Sequence, residues 1–251
     1  SIPRYGKGDH ELATEAYQSL RTGLLFERRG ERGNVVLITG AAPGEGKTTT
    51  LLNLGRLMAP AGDSTVLVDC DLRRANLHTR LDLPREPGFT DYFVREVELS
   101  SLIRTTGHEN LSVLPAGPLP PNPPAMLARP ELETAFGELR QHFRWILVDS
   151  PPVAAVTDAL LLSQHADSTV LVVQQNKVDR LVLKRAIAAL RKVAPNLVGA
   201  VLNAVDVRSK AYYGYAYKDR RDSPETDRPP SEGAASAEGR AAGGVSDASV
   251  S

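Results

Sequence analysis

The chain has 251 residues, and its 30 Lys and Arg are balanced by 30 Asp and Glu, so no basic excess asks for a nucleic-acid partner. A single cysteine, Cys70, rules out an internal disulfide framework and suits a reducing compartment. No stretch approaches the roughly 18 apolar residues of a membrane-spanning helix, and no signal peptide is visible.

In chain order, residues 11–27 (ELATEAYQSLRTGLLFE) read as an amphipathic helix with Leu12, Ala16, Leu20 and Leu24 on one face. The helix precedes the first strand and is free to pack on this domain or on a neighbour. From Gly33 onward, strand and helix alternate. Apolar runs at 34–40, 65–71, 145–151, 168–176 and 197–205 are rich in Val, Leu and Ile, as parallel strands covered on both faces should be. A shorter run at 110–117 adds another strand. Helices are predicted at 47–60 and 179–194, the second stopping near Pro195. Residues 115–127 (PAGPLPPNPPAML) form a proline-stiffened loop into the next helix.

From Asp219 to Ser251 the chain is almost wholly Pro, Gly, Ser, Ala and charge, too poor in large apolar groups to offset its ordering entropy, and is predicted to be disordered. At its root stand four of the seven tyrosines, Tyr212, Tyr213, Tyr215 and Tyr217, among Arg208, Lys210, Lys218, Arg220 and Arg221. The organisation expected is a helical segment at 1–32, a folded domain at 33–206 and a tail at 207–251.

The first strand runs into AAPGEGKT (41–48), a phosphate loop lacking only its opening glycine. Gly44 and Gly46 give the backbone freedom to wrap N–H groups around phosphate oxygens. Lys47 supplies a charge to the outer phosphates, and Thr48 offers a hydroxyl to magnesium. Carboxylates for that metal stand at strand ends: Asp149 in ILVDSPP, and Asp69 and Asp71 in VLVDCDLRR. Cys70 between them reads as a buried small residue. The fold class is therefore α/β, a doubly wound, mostly parallel sheet flanked by helices, of P-loop NTPase type, with ligands beyond the strands' carboxyl ends.

AAPGEGKTT, VLVDCDLRR and ILVDSPPV, in this order, resemble the Walker A, A′ and B elements of the bacterial tyrosine kinases that control capsular and exopolysaccharide synthesis and export. The likeness extends through EAYQSLRT, PAGPLPPNP and TDALLLSQHADSTVLVV, nearly the whole predicted domain. The resemblance implies ATP held by Pro43, Gly44, Glu45, Gly46, Lys47, Thr48, Thr49 and Asn203. It places magnesium on Thr48, Asp149 and Asp71. Asp69 would orient the incoming tyrosine hydroxyl, with Asp71 in support; Arg73 either stabilises transferred charge or fixes its loop. Tyr212, Tyr213, Tyr215 and Tyr217 fall where the family carries its autophosphorylated tail, with transfer between subunits.

The partners implied are a neighbouring subunit's tail, a transmembrane polysaccharide co-polymerase that activates the kinase, and a tyrosine phosphatase. The location implied is cytoplasmic, at the inner face of the bacterial membrane. A first residue of Ser1 rather than methionine leans toward an activator fused upstream. The family's subunit-joining pattern E-x-x-R-x-x-R becomes Glu15, Gln18 and Arg21, without the middle arginine, which weakens the expectation of a ring. Two other readings compete. Partitioning-type ATPases carry a second lysine early in the loop, where this chain has Ala42. A non-catalytic ATP-binding assembly module would have no need of Asp69, Asp71 and Asp149.

Overall fold

The computed structural model describes residues 7–28, 32–95, 97–193 and 196–205. The tyrosine cluster and the tail expected to be disordered lie outside the described residues. Helix α1 (Lys7–Glu27) leads to β1 (Asn34–Gly40), a run of Val, Leu and Ile in which every residue is buried. Helix α2 (Lys47–Met58) and a single 3-10 turn return the chain to β2 (Thr65–Asp69). Three short helices follow, α3 (Leu77–Arg80), α4 (Phe89–Val94) and α5 (Leu99–Leu102), then strands β3 (Arg104–Thr105) and β4 (Leu111–Leu114). Helices α6 (Pro123–Leu127) and α7 (Glu131–His142) precede β5 (Trp145–Asp149). The domain closes with α8 (Asp158–Ser163), β6 (Ser168–Gln174), α9 (Arg180–Val193) and β7 (Leu197–Asn203).

The strands form one sheet in the order β3-β4-β2-β5-β1-β6-β7, and only the β3–β4 pair is antiparallel. The chain leaves β1 toward β2 on one side and later crosses from β5 to β6 on the other. The order thus reverses around β1, and the crevice for a ligand opens at its carboxyl end. Successive residues of β1 face opposite layers. Val35 and Leu37 join the core beneath α4–α7, whereas Val36 and Ile38 pack with α2 and Leu24 of α1. A smaller cluster joins Leu171 of β6 to Ala186 and Leu190 of α9.

The predicted strands are present; the first keeps its expected bounds, and the others are shorter at their carboxyl ends. The run expected at 65–71 stops at Asp69, and that at 145–151 stops at Asp149, because the chain peels off into loops at the ligand edge. Asp71 therefore lies in a loop. The segment expected as a loop over 115–127 is a loop only as far as Asn122, because Asn122 caps α6 through Ala125 N and Pro123–Leu127 are helical; Phe89 and Thr90 dock the loop by donating backbone N–H groups to Pro115 and Ala116. Helices α4 and α5 are too short for periodicity to announce.

Helix α1 is only half covered by this chain. Leu24 is 1% exposed and Leu20 packs beside it, but Leu12 is 36% exposed and Ala16 also faces solvent. The covered half is pinned at Asp63, which is buried after α2 and takes Arg21 at 3.4 Å on one carboxylate oxygen and Arg144 at 2.9 Å on the other. Among the described residues, no helix is long and apolar enough to cross a membrane.

Candidate nucleotide and phosphoryl-transfer site

Between Gly40 and α2 the chain wraps into the predicted loop, with left-handed φ of +74° at Gly44 and +95° at Gly46. Only glycine adopts these angles readily, and close neighbours add a second reason. A Cβ on Gly46 would lie 2.0 Å from Asn203 Nδ2, which donates to the Glu45 carbonyl at 2.8 Å. A Cβ on Gly44 would lie 2.7 Å from Lys177 Nζ, which donates to the Gly44 carbonyl at 2.8 Å. Glu45 turns inward, where its Oε2 accepts the Ala42 N–H at 2.6 Å and its Oε1 has no hydrogen-bond partner among the described residues. Pro43 and Gly44 are exposed at the rim, Lys47 is buried, and Thr48 and Thr49 are half-buried at the start of α2. Asn203, at the end of β7, thus reaches the loop from two strands away.

On the other side of β1 the carboxylates converge. Asp69 and Asp149 stand opposite each other in the β2–β5 register, both buried. Thr48 Oγ1 donates to Asp149 Oδ2 at 2.5 Å, tying α2 to the end of β5. Burial, with the charge of Asp69 adding to it, pushes the Asp149 carboxyl well above the usual aspartate range, against the pull of Thr48 and Lys47. Asp69 is also raised, chiefly by burial, while N–H groups of Leu77 and Asn76 act the other way. Those two N–H groups both meet Oδ2, each at 3.0 Å, and Oδ1 is buried without a hydrogen-bond partner among the described residues. Asp71, half-buried, accepts the Arg74 N–H at 3.1 Å; burial raises its carboxyl and Lys47 lowers it. The Cys70 thiol is fully buried and pushed up by burial and then by the three aspartates, as suits a packing residue.

Arg73 is turned to a carboxylate that the sequence reading missed. Its Nε and second terminal nitrogen reach the two oxygens of buried Asp158 at 3.0 and 3.3 Å, which fixes the loop after β2 against the start of α8. That hydrogen bonding raises the guanidinium pKa further. Lys177 is the other residue missed. It lies in the turn after β6, the strand beside the loop strand, and no local motif marks it. Of the tyrosines outside the cluster, Tyr92 donates to Glu138 at 3.0 Å and its phenol is pushed up to about 12, mainly by burial; Tyr5 lies outside the described residues.

A family model described as the CobQ/CobB/MinD/ParA nucleotide binding domain matches residues 36–220, which accounts for the loop and the strand order. The decisive likeness is to a tyrosine-protein kinase of Bacillus subtilis, YwqD, 32% identical over 204 residues that cover 81% of this chain and 86% of that one. The chain belongs to the bacterial tyrosine-protein kinases. The solved kinase domain of Escherichia coli tyrosine kinase ETK superposes on this kinase with a TM-score of 0.74 at 30% identity, over 79% of this chain and 78% of that one. The tyrosine-protein kinase Wzc of Salmonella typhimurium is 30% identical over 211 residues, which span 82% of this kinase and only 29% of Wzc.

Proposed function

We propose that this kinase transfers the terminal phosphoryl group of ATP to Tyr212, Tyr213, Tyr215 and Tyr217 of a neighbouring subunit and thereby regulates capsular or exopolysaccharide synthesis. The observation that carries the reading is the geometry around Thr48: its hydroxyl meets Asp149, Asp149 faces Asp69, and the charge of Lys47 pulls the Asp149 pKa down. Two neighbouring carboxylates, each raised in pKa chiefly by burial, are a setting in which a cation is welcome. Thr48 and Asp149, with Asp71 near Lys47, are the residues that would hold magnesium. Among the described residues, no three His, Cys, Asp or Glu side chains are gathered to hold a metal unaided, which matches an ion whose shell is completed by phosphates and water. Bound there, magnesium supplies charge neutralisation for the phosphates.

The protein's own part is alignment. Asp69 Oδ2 is engaged by two backbone N–H groups, so Oδ1, buried and without a partner among the described residues, is the atom to accept a tyrosine hydroxyl once the incoming ring reaches it. Its raised pKa makes it a better proton acceptor than an ordinary aspartate, yet still weaker than a phenolate of pKa near 10. Phosphoryl transfer needs little activation of the nucleophile. Asp69 therefore orients the hydroxyl and takes its proton late, on Oδ1. The tyrosines lie 7 to 12 residues beyond Val205, a reach of roughly 25–40 Å, long enough for a subunit's own site or its neighbour's. The family resemblance supports the neighbour's, and with it an oligomer, a transmembrane activator, a tyrosine phosphatase and a place at the inner face of the membrane.

Mass spectrometry of residues 207–251 after incubation with magnesium and ATP, beside a Lys47→Met sample, tests this reading. Phosphate on the cluster in the wild type alone is the expected result. Hydrolysis with a bare tail, even with an activator segment supplied, would favour a partitioning-type switch, the reading that the MinD and ParA family model keeps in play. No turnover would leave an ATP-binding assembly module.

A further inference from the structure

We propose that Lys177 is a second phosphate-contacting cation of this site, supplied by the turn between β6 and α9 of the same chain; the proposal rests on the reading of the loop as an ATP site. The register places it. Gly40, the last residue of β1, pairs with Val172 of β6, so the turn that follows Gln174 stands level with the phosphate loop. Asn176 takes a left-handed φ of 58°, which turns the chain sharply and presents Lys177 toward Gly44. The ammonium then sits 2.8 Å from the Gly44 carbonyl, on the face of the loop that the missing glycine side chain leaves open.

A clip for the loop does not require a charge. The next carbonyl, that of Glu45, is held at 2.8 Å by the neutral amide of Asn203. An ammonium has three N–H groups, and a phosphate oxygen is a much stronger acceptor for it than a neutral carbonyl. The distribution of charge supports the same reading. Asp149, with Thr48 bonded to it, and Asp69 flank β1 on the β5 side, whereas Lys177 flanks it on the β6 side. A fully ionised triphosphate carries more negative charge than one divalent ion and Lys47 cancel. The loop's own second position, Ala42, has none to offer. Lys177 fills that place from another strand.

The test is calorimetric titration of the full chain with magnesium-ADP and a magnesium-bound, non-hydrolysable ATP analogue. Lys177→Ala, Lys177→Gln and Lys177→Arg are compared with the wild type, with Arg180→Ala as a nearby surface-charge control. Gln retains an N–H for the Gly44 carbonyl and lacks the charge. The expected result is about a tenfold loss of affinity for both nucleotides in the Ala and Gln variants. Arg is expected to stay within about threefold, Arg180→Ala to change nothing, and the unfolding temperature of the Gln variant to match the wild type. Wild-type affinity in Lys177→Gln would make the lysine a clip only and overturn the proposal, as would unchanged affinity in Lys177→Ala. A wild type that bound neither nucleotide would bring down the ATP reading itself, and this is seen before any variant is compared.

Discussion

On the β5 side of the phosphate loop stand the buried carboxylates of Asp149 and Asp69; on the β6 side stand the half-buried amide of Asn203 and the exposed ammonium of Lys177. The first group is mutually repulsive, and each member is held at a raised pKa by burial. The second group is already anchored, each side chain with a donor on a loop carbonyl. One flank is thus preformed and stable without ligand, whereas the other is under electrostatic tension that a cation would relieve. A phosphate site divided in this way binds its nucleotide against a fixed wall and a responsive one.

The most severe way to break that division is Lys47→Met, which removes the charge shared by both sides. Transfer to the tail is expected to fall by about three orders of magnitude or more, with the circular dichroism spectrum unchanged. Asp149→Asn probes the tense flank alone. It is expected to lower magnesium-dependent transfer by about 100-fold or more, yet to raise the unfolding temperature of metal-free protein at neutral pH, because a buried carboxyl that must take up a proton on folding is gone.

The pH dependence carries the same sign. Both carboxylates titrate near 3.9 in the unfolded chain and higher when folded, so between those values the folded state binds more protons. Metal-free stability should therefore fall as pH rises through that window, and the slope should flatten in Asp149→Asn. Thermal unfolding in chelator at about pH 5 and about pH 8 measures it. A wild type that gained stability over that range would show that no tension is stored there.

Arg73→Ala sharpens the comparison further, since it strands Asp158, a fully buried carboxylate, whereas Asp158→Asn leaves an arginine already 39% exposed. Urea unfolding is expected to register a loss of roughly 1–3 kcal/mol for the first and less for the second. The smallest effect expected is for Asn203→Ala on the preformed flank. The loss there is about 1 kcal/mol of one neutral hydrogen bond, read as a few-fold weaker ADP binding by calorimetry.

Where chemistry is local in the chain, it was readable before the fold was known. Gly44, Gly46, Lys47 and Thr48 fall together between one strand and the helix that follows it, and Asp149 and Asp69 end apolar runs that form buried strands. Arg73 was legible as a site residue, but its role was not, because its partner Asp158 is 85 positions away. Lys177 is 133 positions from the carbonyl it holds, and only the β1–β6 register brings them together. Helix α1 marks another limit. Periodicity announced an apolar face through Leu12, Ala16, Leu20 and Leu24, but a pattern cannot say how much of that face its own chain will cover.

Asp63 gives that first helix an unusual freedom. A lone buried acid would be left without a counter-charge if its arginine departed, at a steep penalty. Here Arg144 already holds the second oxygen at 2.9 Å, while Arg21 sits at a looser 3.4 Å. The helix is therefore moored by a line that can be cast off while the bollard stays secured. Whatever surface next receives Arg21, the acid it leaves behind keeps its neutraliser, and the domain beneath has no electrostatic reason to follow.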